Sequence, residues 1–159
     1  MKQNNNYTKE QRHGALVYKL TWSEYILADK LNILKKLNEM TGIFVVFYLN
    51  KYKRLTPLIL GIAWYTGFRP TVLMLHSSIS SDPLPDSIRE IISNEEIYLK
   101  YLEIFELDDL INIYDKLSDS YGSVFQFRNG ITIPKTGPHI KVLNNNTKNY
   151  RKNIGMPDI

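Results

Sequence analysis

Three groups of residues in this 159-residue chain could do chemistry. The first is cationic. Lys51, Lys53 and Arg54 surround Tyr52, and Lys148, Arg151 and Lys152 surround Tyr150. Cations hold phosphate and exposed aromatic rings stack on bases, so both clusters suit contacts with nucleic acid. The second group is acidic. Between Asp82 and Asp119 there are 11 acids and 3 bases, whereas the rest of the chain carries 17 bases and 5 acids, for a formal net charge of +4. A basic face draws polyanions, and the acidic stretch would suit a basic protein partner. The third group is His13, His76 and His139, too scattered for an H-x-x-x-H or H-E-x-x-H metal site. His76 follows an apolar turn and is expected to be packed. With no cysteine, disulfides, thiolate zinc sites and cysteine nucleophiles are excluded. That absence fits a reducing, cytoplasmic setting. There is no Walker loop, Rossmann fingerprint or G-x-S-x-G elbow.

The elements that must position these residues centre on two apolar runs, Gly42–Leu49 and Pro57–Tyr65, separated by Lys51, Lys53 and Arg54. Each run has strand length, and the first is rich in β-branched and aromatic residues. Neither alternates with polar residues, so both should be buried on two faces. The short polar link from Asn50 to Thr56 predicts antiparallel pairing. Gly61 inside the second run predicts a bulge or a close backbone approach. The basic break also rules out a helical membrane crossing, which needs about 20 apolar residues.

Around this pair the pattern predicts a strand over Ala15–Leu20 and a helix from Trp22 to about Met40, opened by a Thr21–Glu24 capping box. That helix would bury Ile26, Leu27, Leu31, Ile33, Leu34, Leu37 and Met40. A short helix is expected over 71–78, another after Pro85 with Ile88, Ile91 and Ile92 inward, and a strand over 97–105. The spacing of Leu110, Ile111, Tyr114, Leu117 and Tyr121 predicts a helix over 108–121, ended by Gly122. Asn129-Gly130 between apolar runs predicts a two-residue hairpin turn joining Val124–Arg128 to Ile131–Ile133.

Gly42-Ile43-Phe44, then Ile59-Leu60-Gly61, then Arg69 at the entry to a helix, resembles the ordering of the GIY-YIG nucleases. The resemblance covers Gly42 to Tyr121 and implies a strand, strand, helix, helix, strand, helix order. It also implies catalytic roles for Arg69 and for an acidic metal ligand on the last helix. Asp109 is nearest to that position, with Glu106 and Asp108 beside it, and a carboxylate with waters would hold Mg²⁺. The family's two tyrosines correspond here to Phe44 and Ile59, which can neither take nor relay a proton. Tyr48 shares a face with Phe44 but lies roughly 13 Å along the strand. The resemblance therefore implies a catalytically degenerate domain, with Mg²⁺ relevant only if catalysis survives. Asp108 and Asp109 also have a simpler role open to them, compensation of the helix dipole in the first turn.

Together these readings give one α+β domain over 14–140, with a small mixed or antiparallel central sheet, helices on both faces, a flexible tail over 1–13 and a basic flexible tail over 141–159. The expected partner is nucleic acid or a nucleoprotein, held by Lys51, Lys53, Arg54, Arg69, Lys148, Arg151 and Lys152. A protein-interaction module and a metal-dependent phosphodiesterase are the alternatives. No membrane association and no resident cofactor are expected.

Overall fold

The two apolar runs form adjacent antiparallel strands, β4 (Gly42–Leu49) and β5 (Leu55–Ala63), with Phe44 directly opposite Gly61. The computed structural model describes residues 6–76 and 84–144. Before this pair come β1 (Tyr7–Arg12), β2 (Ala15–Leu20), β3 (Ile26–Leu27) and α1 (Lys30–Lys36). After it come α2 (Phe68–Leu75), α3 (Asp86–Asn94), β6 (Ile97–Glu103), α4 (Leu107–Tyr121), β7 (Phe125–Phe127) and β8 (Ile140–Asn144). The fold is α+β with two mixed sheets, one of five strands in the order β3-β6-β4-β5-β7 and one of three in the order β1-β2-β8.

Burial on both faces, expected from the lack of alternation, divides the core in two. Ile43, Val45 and Phe47 of β4 and Leu60 and Ile62 of β5 point to one side, where Leu110, Ile113, Tyr114 and Leu117 of α4 and Tyr18 and Leu20 of β2 cover them. Phe44, Val46, Ile59 and Ala63 point to the other side, under Ile33 of α1, Phe68, Val72 and Leu75 of α2 and Ile88 of α3. Each large apolar side chain so buried contributes about 1.5–3 kcal/mol. Gly61 is the predicted close approach: a Cβ there would fall 2.2 Å from Cζ of the Phe44 ring. The bulge lies elsewhere, where the register shifts between Val46 and Phe47.

The predicted helix over 22–40 is the largest correction. Only Lys30–Lys36 is helical, capped by Asp29, whose carboxylate accepts from the Asn32 amide at 2.8 Å. The preceding segment is extended because β6 offers it better partners. The Ser23 amide donates to the Tyr101 carbonyl at 2.9 Å, the Ser23 hydroxyl accepts from the Tyr101 amide at 2.9 Å, and the Ala28 amide donates to the Ile97 carbonyl at 2.7 Å. Trp22 is held as well: its indole N–H donates to Asn144 at 2.9 Å, and its ring lies 4.5 Å from the buried Lys100 ammonium, which also faces Tyr25 and Phe47. Leu31, Leu34 and Met40, expected in the core, are exposed by 61%, 54% and 38%.

The expected tails are shorter than the sequence suggests. Residues 7–12 are not a flexible tail but β1, paired with all of β2 through a His13-Gly14 turn in which both residues have positive φ. Residues 141–144 continue β8, which pairs in parallel with β2. The remainder of each tail, with Lys148, Arg151 and Lys152, lies outside the described residues. The Asn129-Gly130 turn forms, with φ of 50° and 86° and a 3.0 Å hydrogen bond from the Ile131 amide to the Arg128 carbonyl. The second hairpin strand does not form, and β7 pairs in parallel with β5 instead. The segment after Pro134 is fixed to α4. Asp115 accepts from the Thr136 amide at 2.9 Å and its hydroxyl at 2.7 Å, and Lys116 donates to the Gly137 carbonyl at 3.1 Å.

Candidate nucleic-acid interface

The loop between β4 and β5 is built around the Asn50 carboxamide. Its Oδ1 accepts from the amides of Tyr52 at 2.9 Å and Arg54 at 3.1 Å, while its Nδ2 donates to the Thr56 hydroxyl at 3.1 Å. The backbone closes the same turn: the Asn50 amide donates to the Arg54 carbonyl, and the Lys53 amide to the Asn50 carbonyl, both at 2.9 Å. Lys53 has φ of 63°, a left-handed conformation that costs a non-glycine residue roughly 1 kcal/mol. The turn would be easier with glycine or asparagine there, and lysine instead puts a charge at its tip. Lys51, Tyr52, Lys53 and Arg54 are all exposed, Tyr52 by 71%, and the Lys51 ammonium lies 5.1 Å from the Tyr52 ring centre. Among the described residues no ion pair engages Lys51, Lys53 or Arg54, whereas Lys9, Arg12, Lys19, Arg69 and Lys135 each have a carboxylate partner. The tip is thus three uncompensated cations and a ring on a backbone already ordered.

The residues expected to carry catalysis do not share one cleft. Phe44 and Ile59 are fully buried in the core beneath α2, with no exposure at either side chain. Gly42 and Gly61 serve packing, since a Cβ on Gly42 would meet the Leu102 carbonyl oxygen at 1.9 Å. Arg69 lies on that face too, where its Nε donates to the Leu37 carbonyl at 2.9 Å and its guanidinium is 3.7 Å from Glu39. Asp109 is on α4, across the five-stranded sheet from Arg69. Among the described residues no cluster of three or more His, Asp or Glu side chains could hold a metal ion.

Asp109 belongs to a network that sequence reasoning missed. Its carboxylate is buried and accepts from Tyr7, from Tyr18 at 2.7 Å and from Lys9 at 3.1 Å, and Asn112 donates to the Tyr18 hydroxyl at 3.0 Å. Burial alone would raise the Asp109 pKa, but the donors from Tyr7, Tyr18 and Lys9 outweigh it and hold the group below the usual carboxylate range. Burial, with the carboxylate adding to it, pushes the Tyr18 phenol up to about 12, and the Tyr7 phenol is raised as well. At neutral pH the cluster is therefore an ionised acceptor ringed by protonated donors, and it ties the small sheet to the start of α4. The alternation of Tyr7 and Lys9 on one face of a strand was the only hint in sequence.

The acidic stretch is not wholly exposed. Asp109 and Asp115 are buried, Glu96 accepts from the Tyr98 hydroxyl at 2.9 Å, and Asp119 pairs with Lys135 at 3.2 Å. His76 closes α2, half-buried as expected, and burial lowers its pKa. No helix of the described residues is long and apolar enough to cross a membrane.

A family model described as "Uncharacterised protein" matches residues 6–153, and the chain belongs to that family. No curated protein and no solved structure matches the chain.

Proposed function

We propose that this family member is a non-catalytic nucleic-acid-binding domain whose main contact is the tip of the β4–β5 hairpin. The observation that carries the reading is the ordered turn that holds Lys51, Lys53 and Arg54 beside exposed Tyr52, free of ion pairs among the described residues. Because the turn is fixed in advance, little conformational entropy is left to lose on binding. The cations would neutralise phosphates and the Tyr52 ring would stack on an unpaired base. The element order over 42–121, with β6, β4 and β5 adjacent, fits the order implied by the resemblance to GIY-YIG nucleases. The buried Phe44 and Ile59, and the sheet between Arg69 and Asp109, favour binding over phosphodiester cleavage. The burial of Asp109 and Asp115 and the pairing of Asp119 with Lys135 leave fewer free acids for a module that reads a basic protein. A cytoplasmic setting goes with this reading, as expected from the cysteine-free sequence.

The test is fluorescence anisotropy of labelled single-stranded and duplex oligonucleotides across a salt series. Replacing Lys51, Lys53 and Arg54 together with Ala should lower the salt slope by roughly 2–3. Tyr52→Ala should weaken single-strand binding by about 1–3 kcal/mol while leaving the slope unchanged. No binding by the native chain at low salt, or an unchanged slope in the triple variant, would overturn the proposal.

A further inference from the structure

The Asn129-Gly130 turn forms without the strand it was expected to bring back, and among the described residues no other strand takes that place. β7 ends the five-stranded sheet: β5 lies on its inner side and, among the described residues, no strand lies on its outer side. A strand edge is a row of N–H and C=O groups ready to pair with another extended chain. Proteins blunt such edges with very short strands, lysine, proline or a bulge; Phe125-Gln126-Phe127 is short but carries no lysine, proline or bulge.

Beside this edge runs a groove of about 440 Å³. It is lined by Met74 of α2 and by the unbroken run 125–130. A strand edge facing a helix is the layout in which a peptide adds to a sheet, its main chain pairing with the edge and alternate side chains entering the groove. The apolar part of the lining includes half-buried Phe125 and Met74, which is 39% exposed. At the turn end stands Arg128, exposed, with its Nε and Nη2 donating to Gln126 Oε1 at 3.1 and 2.8 Å and its guanidinium 5.8 Å from the centre of the Tyr114 ring, so the cation is held at the end of β7.

We propose that the outer edge of β7 takes up an extended peptide segment of a partner protein, apolar at alternate positions and acidic where it meets Arg128. The partner adds as a sixth strand to the five-stranded sheet. This surface is separate from the hairpin tip, so its failure would leave the nucleic-acid reading untouched.

The probe is the synthetic peptide Ser-Val-Glu-Val-Glu-Val-Ser, blocked at both ends and titrated to about 1 mM, a range suited to weak strand addition, against the isotope-labelled full chain by NMR. Saturable shifts should map to the amides of 125–130 and the methyl of Met74. A peptide with Lys in place of Glu should bind at least about fivefold more weakly, and Arg128→Gln should remove that difference. A peptide N-methylated at alternate amides should lose binding, because it cannot pair with the edge; this control leaves the protein unaltered. The proposal is overturned by no binding, by equal binding of the N-methylated peptide, or by shifts confined to 51–54. It is equally overturned if the edge shifts with protein concentration alone, which would make a second copy the occupant.

Discussion

Removing the Asp109 carboxylate should unfasten the small sheet, and the size of the loss follows from its donors. In Asp109→Ala the Tyr18 hydroxyl, with no exposure, keeps the Asn112 donor but has no acceptor for its own proton. A buried donor left so costs about 1–3 kcal/mol. Tyr7 is half-buried and water can replace part of its bond. Lys9 is 50% exposed, so its ion pair adds less than about 1 kcal/mol. The total is about 2–4 kcal/mol, or a fall in Tm of roughly 5–12 °C for a chain of this size. Urea unfolding followed by fluorescence of Trp22 and Trp64 measures it. The effect should also depend on pH. The folded Asp109 pKa lies below its unfolded value, so its stabilisation is complete above about pH 4 and is lost as pH falls through the folded pKa. The gap between native and Ala variant should therefore be largest at neutral pH and narrow below about pH 4. A variant within about 0.5 kcal/mol of the native chain, or a gap that does not narrow in acid, would refute the reasoning. If Asp109 were instead a catalytic metal ligand, its loss would abolish cleavage and leave stability nearly unchanged.

Two further outcomes follow from packing and burial. Gly61→Ala places a Cβ 2.2 Å from the buried Phe44 ring. It should cost about 1–3 kcal/mol, and adding Phe44→Leu should recover part of that loss in a double-mutant cycle; simple additivity would refute the contact. At His76, burial, helped by Lys30, lowers the pKa against the opposing pull of the Ala28 backbone and Asp29. Its stabilisation should be complete above about pH 6.5 and lost as pH falls through the folded value, so His76→Asn should flatten the decline in stability between about pH 7 and pH 5. An equally steep decline in the variant would place the titration elsewhere.

What the sequence determined by itself was whatever local pattern dominates. The strand pair β4–β5 was legible because unbroken apolar runs have no stable place outside a doubly covered sheet. The helix α4 was legible because five residues recur at its period and Gly122 can end it in a left-handed conformation, with φ of 61°. The basic hairpin tip was legible as composition, since a short polar link between buried strands has to be exposed. Tertiary structure decided the rest. Residues 22–28 carried a helical pattern, yet β6 offered their backbone hydrogen bonds and Lys100 offered Trp22 a cation, and these outweighed a weak local preference. Asn129-Gly130 fixed the turn, but pairing depends on which strand edge is nearby, and β5 took β7. The grouping of Tyr7, Lys9 and Tyr18 around Asp109 joins residues about a hundred positions apart, and no spacing rule reaches that far. The separation of Arg69 from Asp109 is a fact of the same kind: chain order put them on α2 and α4, and the sheet between those helices placed them on opposite faces.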